Sequence, residues 1–129
     1  MRHRNKRTKQ LSPWIQKRDL VVRNMVTDLI KRWQIKTTTK KAKVLKSEAD
    51  KFFSHLISLF EKYEKESDAR RIAISYIKWF INTEQDWKKV IDELIPKYKE
   101  QWKTTWFVAS FKLWYRKWDW AEEVLIKLV

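Results

Sequence analysis

The first ten residues, MRHRNKRTKQ, concentrate the side chains with the clearest chemical use in this chain. They hold five Lys and Arg residues and one histidine, and no acidic residue. Cations at this density neutralise phosphates and release the counterions of a polyanion, which drives salt-dependent binding. Because the segment has no apolar periodicity, we expect a basic N-terminal arm over residues 1–12 that becomes ordered only on contact. Its candidate contacts are Arg2, His3, Arg4, Lys6, Arg7 and Lys9.

Side chains that support catalysis or metal binding are scarce. Cysteine is absent, and the two histidines, His3 and His55, lie far apart in the sequence. Two isolated histidines make no metal-ligand pattern. The acidic residues alternate with lysines as on solvated helices, and no carboxylate pair is suited to acid–base work. We therefore predict a binding protein that is not an enzyme and that needs no metal or other cofactor.

The positive charge lies mainly in the first part of the chain. The net charge is +14, of which residues 1–50 contribute +11, residues 51–100 contribute +1 and the remainder +2. A net charge this high is unfavourable unless a polyanion offsets it. No apolar run approaches the roughly 20 residues of a membrane span, and no apolar stretch follows the basic start as in a secretory signal. We predict that the first third faces nucleic acid.

Apolar spacing predicts the helices that must position these cations. Val22, Val26 and Leu29 follow the i, i+4, i+7 rule and place a first helix over about residues 18–32. A threonine then begins a long amphipathic helix that ends near Tyr63. The first turns of this long helix carry Lys40, Lys41, Lys43 and Lys46.

Two further helices are predicted from their start and stop signals. Ser67 and Asp68 are suited to cap a third helix. Thr83 and Asp86 resemble a capping box at the start of a fourth helix. We expect Pro96 to end that helix, because proline lacks the backbone N–H that a helix interior requires.

Short β-branched or alternating runs predict three strands. The first covers WQIKTTT, residues 33–39, and two more, near residues 107–113 and 124–128, are joined through WYRKWDW. We therefore predict an α+β fold in the order α-β-α-α-α-β-β. It would be a single domain over residues 13–129 with a small three-stranded sheet packed against helices. The aromatic residues expected in its core are Phe52, Phe107 and Phe111.

The chain has no glycine and nine tryptophans. At the average usage of about 7% glycine, a chain of this length carries on the order of nine. We hypothesise that many of these tryptophans stand where the natural protein has glycine. Some bacterial lineages read the UGA codon as glycine, whereas a common alternative table reads it as tryptophan. The alternative is an aromatic-rich RNA-binding protein that happens to lack glycine.

Four segments, taken in order, resemble one bacterial protein family. They are MRHR at the start, RNM at residues 23–25, IKTTTKKAKVLK at residues 35–46 and FKLWYRKWDWAEEVLIKLV at residues 111–129. Together they are similar to the family of the seventeenth protein of the large ribosomal subunit. The family has a small residue where Trp120 stands. It commonly has glycine at the positions of Trp33, Trp106, Trp114 and Trp118.

The resemblance implies a cytoplasmic structural protein of the large ribosomal subunit. Its expected partners are the large ribosomal RNA and neighbouring proteins of that subunit, with no membrane and no small-molecule substrate. The contacts that the family implies, besides those in the arm, are Arg18, Arg23, Asn24, Lys36, Thr37, Thr38, Lys41 and Lys43. The charge of the first helix adds Lys17 to this set.

The charge pattern by itself leaves two alternatives open. A DNA-binding or architectural protein would use the same cations, and it would bind duplex DNA and ribosomal RNA with similar affinity at equal salt. A protein that lies on membrane surfaces through basic amphipathic helices would bind anionic vesicles even without the arm.

Overall fold

The computed structural model describes residues 15–103 and 105–129 of the chain. Its elements are α1 (Ile15–Arg32), β1 (Gln34–Thr38), α2 (Thr39–Lys62), α3 (Glu66–Phe80), α4 (Glu84–Lys89), a π-helical turn (Val90–Leu94), α5 (Ile95–Glu100), β2 (Val108–Tyr115) and β3 (Glu122–Leu128). Because α4, the π-helical turn and α5 follow one another without a break, they count as one interrupted helix. The predicted α+β class and element order are thus confirmed. The predicted arm lies outside the described residues.

The three strands form one antiparallel sheet in the order β1-β3-β2. Ile35 of β1 pairs with Ile126 of β3, and Val108 of β2 pairs with Leu128. Alternate residues of β3 are buried, as the period of two predicts for a sheet with one covered face. These buried residues are Val124, Ile126 and Leu128. The last strand of the chain therefore forms the centre of the sheet and joins its two halves.

The long helix α2 is the central element of the core. Its apolar residues recur every three or four positions, so they form a stripe along its length. The buried members are Ala42, Val44, Leu45, Ala49, Phe52, Phe53, Leu56, Ile57 and Leu59. Phe53 packs edge-on against Tyr98 at 5.4 Å between ring centroids, and Tyr98 packs against Phe107 at 4.9 Å. Burying each such side chain contributes about 1.5–3 kcal/mol, so these rings fasten α5 and the start of β2 to α2.

The predicted orientation of β2 is wrong in one respect. Phe52 and Phe107 are buried as expected, but Phe111 is 52% exposed. Val108 is the buried residue of this strand and pairs with Leu128 on the helix-covered face. Because side chains alternate along a strand, Ser110 and Lys112 share the face of Val108, and Phe111 points away from the helices.

Two predicted helix boundaries are also wrong. Pro96 does not end the fourth helix, because it lies at the first turn of α5, where the missing N–H is not needed. The preceding π-helical turn makes this possible, and the Ile95 N–H donates to the Val90 carbonyl five residues back. The third helix begins at Glu66, with Lys65 rather than Ser67 or Asp68 at its N-cap. Thr83 is the N-cap of α4 as predicted, and its hydroxyl donates to the Asp86 carboxylate.

Candidate nucleic-acid interface

An open groove lies where α1, β1 and the start of α2 meet. Its lining residues are Met25, Asp28, Arg32, Gln34, Ile35, Lys36, Thr37 and Lys41. The extended chain of β1 half-buries Ile35 and leaves Lys36 exposed, so the lysine faces solvent by the alternation of the strand. Lys41 is exposed on the first turns of α2. The α1–β1 groove therefore holds three cations and one carboxylate.

A second groove lies between α2 and β2. It is lined by Thr39, Ala42, Lys43, Lys46, Ser110, Lys112 and Val124. Its three charged side chains are all cations. Lys43 follows Lys41 by two positions on α2, so the two lysines diverge around the helix and enter different grooves. We call the cations of both grooves the basic face, and they are Arg32, Lys36, Lys41, Lys43, Lys46 and Lys112.

Three lysines of the basic face lack an ion-pair partner in the described part of the chain, whereas Lys46 lies near the Asp50 carboxylate. Within the described residues, no carboxylate makes an ion pair with Lys36, Lys41 or Lys43, and each ion pair present lies elsewhere. The first turn of α2 contains no acidic residue, although the positive end of a helix dipole favours acidic side chains there. The positive charges of the lysines and the positive end of the helix dipole therefore lie together at the start of α2. A bound anion would reduce the repulsion among them.

The predicted contact residues fall into two groups. Lys36, Thr37, Lys41 and Lys43 lie in the two grooves, and the half-buried Thr38 is the backbone N-cap of α2 between them. The second group is on α1 and does not join the basic face. It consists of Arg18, Arg23 and Asn24. Lys17 also belongs to α1, and its side chain is outside the described part of the structure.

The α1 group makes contacts within the protein. The Arg23 guanidinium carbon lies 4.0 Å from the centroid of the Trp79 ring on α3. The side-chain amide of Asn82 donates to the Asn24 side-chain oxygen at 3.0 Å. These two residues therefore hold α1 against the end of α3, which leaves them less free to bind a partner than the lysines of the basic face.

Sequence reasoning missed three members of the basic face: Arg32, Lys46 and Lys112. Arg32 and Lys46 were visible as basic residues at the end of α1 and on the first turns of α2. Lys112 was missed because Phe111 was assigned to the core, which placed Lys112 on the opposite face of β2. The burial of Val108, together with the period of two, gives the correct orientation.

The carboxylate of Asp50 links the two elements that form the second groove, α2 and β2. Asp50 on α2 accepts a hydrogen bond from the Phe107 backbone N–H at 3.1 Å. Burial raises the pKa of Asp50 above its usual range, although this hydrogen bond and the nearby Lys46 act in the opposite direction. The hydroxyl of neighbouring Tyr98 is buried without a partner among the described residues. Its burial, together with the charge of Asp50, raises the pKa of Tyr98 to about 12.

The described residues contain no group of three or more His, Asp or Glu side chains placed to hold a metal ion. None of the helices in this part of the chain is long and apolar enough to cross a membrane. The fold and the basic face together define a class, which is a small cationic α+β protein with a surface suited to a polyanion.

Comparison with known proteins identifies the family. The sequence profile of the family described as Ribosomal protein L17 matches residues 21–129. A large ribosomal subunit protein bL17 of Clostridium tetani is 34% identical over 109 residues, covering 84% of this chain and 86% of the relative. The corresponding protein of a Thermoanaerobacter species is 36% identical over 112 residues, covering 87% and 89%. The chain belongs to the ribosomal protein L17 family, which confirms the resemblance seen in the sequence.

Proposed function

We propose that this protein is a structural constituent of the large ribosomal subunit and that it binds the large ribosomal RNA through the basic face. In this role it works in the cytoplasm and meets neighbouring proteins of the subunit. Membership of the ribosomal protein L17 family supports the structural role, and its relatives carry the name of large-subunit proteins. The contacts with RNA are inferred from charge and geometry.

The observation that carries the proposal is the cluster of unpaired cations around the start of α2. Lys36, Lys41 and Lys43 are exposed and have no acidic partner among the described residues. Lysine presents a compact, strongly hydrated charge on a flexible stem, which suits it to phosphates whose positions vary. Each phosphate that such a cation neutralises releases counterions from the RNA, so binding is driven by entropy and weakened by salt.

The surface combines fixed cations with a neutral hydrogen-bond donor. In the second groove the Thr39 hydroxyl donates to the Glu122 carboxylate at 3.4 Å, so the donor proposed for RNA is the hydroxyl of Thr37 in the α1–β1 groove. Such groups donate to phosphate and sugar oxygens and set the register of the RNA without reading its sequence. In the proposed complex the basic face positions the RNA backbone, and Arg2, His3, Arg4, Lys6, Arg7, Lys9 and Lys17 extend the contact beyond it.

A triple substitution tests the proposal. Changing Lys36, Lys41 and Lys43 together to glutamine removes three positive charges from the two grooves. We expect the affinity for the large ribosomal RNA to fall about tenfold or more near physiological salt. The slope of log affinity against log salt should become shallower by about 2–3, because each lost phosphate contact contributes about 0.7–0.9.

The control substitution removes the same charge from the end of α2 and the adjoining start of α3. Lys62, Lys65 and Arg71 are exposed, and the 24 residues of α2 separate its two ends by about 36 Å. Glutamine at these three positions should leave both the affinity and its salt dependence nearly unchanged. An equal loss in the two triple variants would show that only net charge matters, and the basic face would then have no special role.

A competitor distinguishes RNA from DNA. Duplex DNA of equal charge should displace the RNA poorly at the same salt concentration. Equal competition by duplex DNA would instead favour a general DNA-binding protein. In cell extracts the protein should sediment with large subunits, and its recovery in the supernatant while other subunit proteins pellet would contradict the structural role.

A further inference from the structure

Every described residue with a left-handed backbone is a tryptophan. The φ angles are 67° at Trp33, 55° at Trp102, 63° at Trp106 and 57° at Trp120. Only a few per cent of non-glycine residues have positive φ, and these are enriched in Asn, Asp and His rather than in bulky aromatic residues. Eight of the described residues are tryptophan, so random placement would put all four on tryptophan on the order of once in 100,000 trials.

Two of these positions terminate helices with the hydrogen bonds that favour glycine. At the end of α5, the Lys103 N–H donates to the Tyr98 carbonyl and the Trp102 N–H to the Lys99 carbonyl, both at 3.1 Å. This pair of bonds is the Schellman motif, with Trp102 at its left-handed position. At the end of α1, the Trp33 N–H donates to the Leu29 carbonyl at 2.8 Å, which is the simpler left-handed cap.

The other two positions lie where the chain enters and leaves β-structure. Trp120 is in the connection from β2 to β3, and its N–H donates to the Arg116 carbonyl at 2.9 Å. A left-handed residue, usually glycine, commonly completes a hairpin loop at such a place. Trp106 immediately precedes Phe107, whose N–H is bound by Asp50. The left-handed turn at Trp106 therefore lies directly before Phe107, the residue that the hydrogen bond to Asp50 holds in place at the entry to β2.

The indole rings at three of these positions bury little surface. Trp102 is 91% exposed, Trp120 73% and Trp106 70%. Tryptophan is on average a highly buried residue, because its large apolar surface favours removal from water. At these positions the left-handed backbone favours a residue without a Cβ atom. The exposed indoles pack little in return, although the Lys46 ammonium lies 5.5 Å from the centroid of the Trp106 ring.

We infer that the natural protein carries glycine at positions 33, 102, 106 and 120, and that a codon read as glycine in the cell of origin specifies them. The codon that accounts for this is UGA, which must pair there with a transfer RNA charged with glycine. Trp114 and Trp118 are also exposed but lack positive φ, so the geometry makes no assignment for them. The natural protein would therefore have no indole at these four positions, and RNA bases would have no aromatic ring to stack on there.

The direct test is the mass of the natural protein, purified from cells that carry its gene. The informative tryptic peptides span residues 33–36, 100–103, 104–112 and 118–127. Each should be lighter than the tryptophan form by at least the mass difference between tryptophan and glycine. Fragment ions should locate the change at the four positions and distinguish position 120 from position 118, which lies in the same peptide. The gene should carry UGA at these positions. A tryptophan mass or a UGG codon at any of them overturns the inference for that position.

A stability comparison tests the physical reason. Trp102→Gly and Trp102→Ala both remove the indole, but only the glycine variant removes the Cβ atom that opposes positive φ. We expect the glycine variant to melt about 3–6 °C above the alanine variant, and the same order at Trp120. Trp79 is the matched control, because it is exposed but lies within α3, where alanine should be the more stable of the two. Equal melting temperatures, or a higher one for alanine, at positions 102 and 120 would refute the argument from backbone geometry.

Discussion

The basic face and the helices α3 and α4 both carry many cations, but they hold them in different ways. On α3 and α4, Arg70 contacts Asp92 at 3.0 Å and Lys88 contacts Glu84 at 2.8 Å. On the basic face, Lys36, Lys41 and Lys43 have no such partner within the described residues. A count of lysines therefore says little about function, because the function of a cation depends on its ion-pair partner and on its position in the molecule.

The energetic consequence of pairing is also different in the two regions. An exposed ion pair contributes about 0–1 kcal/mol to stability and attracts external anions weakly. A cluster of like charges destabilises the folded protein by mutual repulsion until a polyanion arrives. The basic face is therefore suited to binding an anionic partner, whereas Arg70 of α3 and Lys88 of α4 are already offset by carboxylates within the protein.

The largest expected effect comes from reversing charge on the basic face. Lys41→Glu with Lys43→Glu should reduce the affinity for large ribosomal RNA about 100-fold or more at physiological salt, because two cations are replaced by repelling anions. The melting temperature should change little, since both side chains are exposed. Lys62→Glu with Lys65→Glu is the control at the other end of α2. Filter binding of the two variants checks the comparison, and equal losses would contradict it.

A smaller effect, on the free energy of unfolding, is expected from substitutions at Asp50, which links α2 to the start of β2. Asp50→Ala should lower the free energy of unfolding by about 1–2 kcal/mol, because the Phe107 N–H loses its acceptor. Asp50→Asn keeps an acceptor oxygen and should cost less, as urea unfolding of both variants will show. If the alanine variant is the more stable of the two, the hydrogen bond to Phe107 does not have the role assigned to it.

The pH dependence at Asp50 follows from the direction of its pKa shift. Burial raises the pKa of Asp50 in the folded state, so the folded protein binds a proton at this carboxyl more tightly than the unfolded chain does. Its contribution to stability is therefore largest below the usual carboxyl pKa and falls as pH rises through the raised value. The Asp50→Asn variant should lack this component of the pH profile.

Breaking an ion pair between α3 and the π-helical turn should have a still smaller effect. Asp92→Asn releases Arg70, and the unfolding free energy should change by less than about 1 kcal/mol because both side chains are about half exposed. RNA affinity should rise no more than about twofold, since Arg70 lies outside the basic face. A tenfold gain would mean that any unpaired cation binds RNA, and the distinction between the two regions would fail.

The smallest expected effect concerns the pair within α4. The hydrogen bond and charge of Lys88 lower the pKa of Glu84, so this pair stabilises the fold above the usual carboxyl pKa and loses its effect as pH falls through the lowered value. In Lys88→Gln the pKa of Glu84 should return toward its ordinary value. An NMR titration of the Glu84 carboxyl in both proteins measures the change, and identical titration curves would contradict the pairing.

Much of the fold could be predicted because its signals are local. Val22, Val26 and Leu29 recur at helical spacing, and all three are buried in α1. The alternation of Val124, Ile126 and Leu128 likewise gave the covered face of β3. Phe111 was assigned to the wrong face of β2 because both faces of this strand carry apolar residues, so alternation alone does not show which face is buried. Pro96 was misjudged because a π-helical turn, which has no clear sequence signal, precedes it.

The candidate site was predictable only in part. The charge of the first third, the lysines of β1 and α2 and the family resemblance all pointed to Lys36, Lys41 and Lys43. The family resemblance also implied contacts at Arg23 and Asn24, which stay a prediction, and the structure adds that these residues contact Trp79 and Asn82. Lys112 lies in the same groove as Lys46, more than sixty residues away in the chain. No local sequence pattern indicates that two such distant residues are close in space.

The sequence by itself determined the element order, the family and the imbalance of charge, because periodicity, motifs and composition are properties of the chain alone. It also exposed the absence of glycine beside nine tryptophans. Three features follow only from the folded chain: which of the described cations lack an ion-pair partner, which face of β2 meets the helices and which tryptophans adopt left-handed backbones. The physical reason is that ion pairing, burial and the direction of a turn depend on segments that are distant in sequence and meet only when the chain folds.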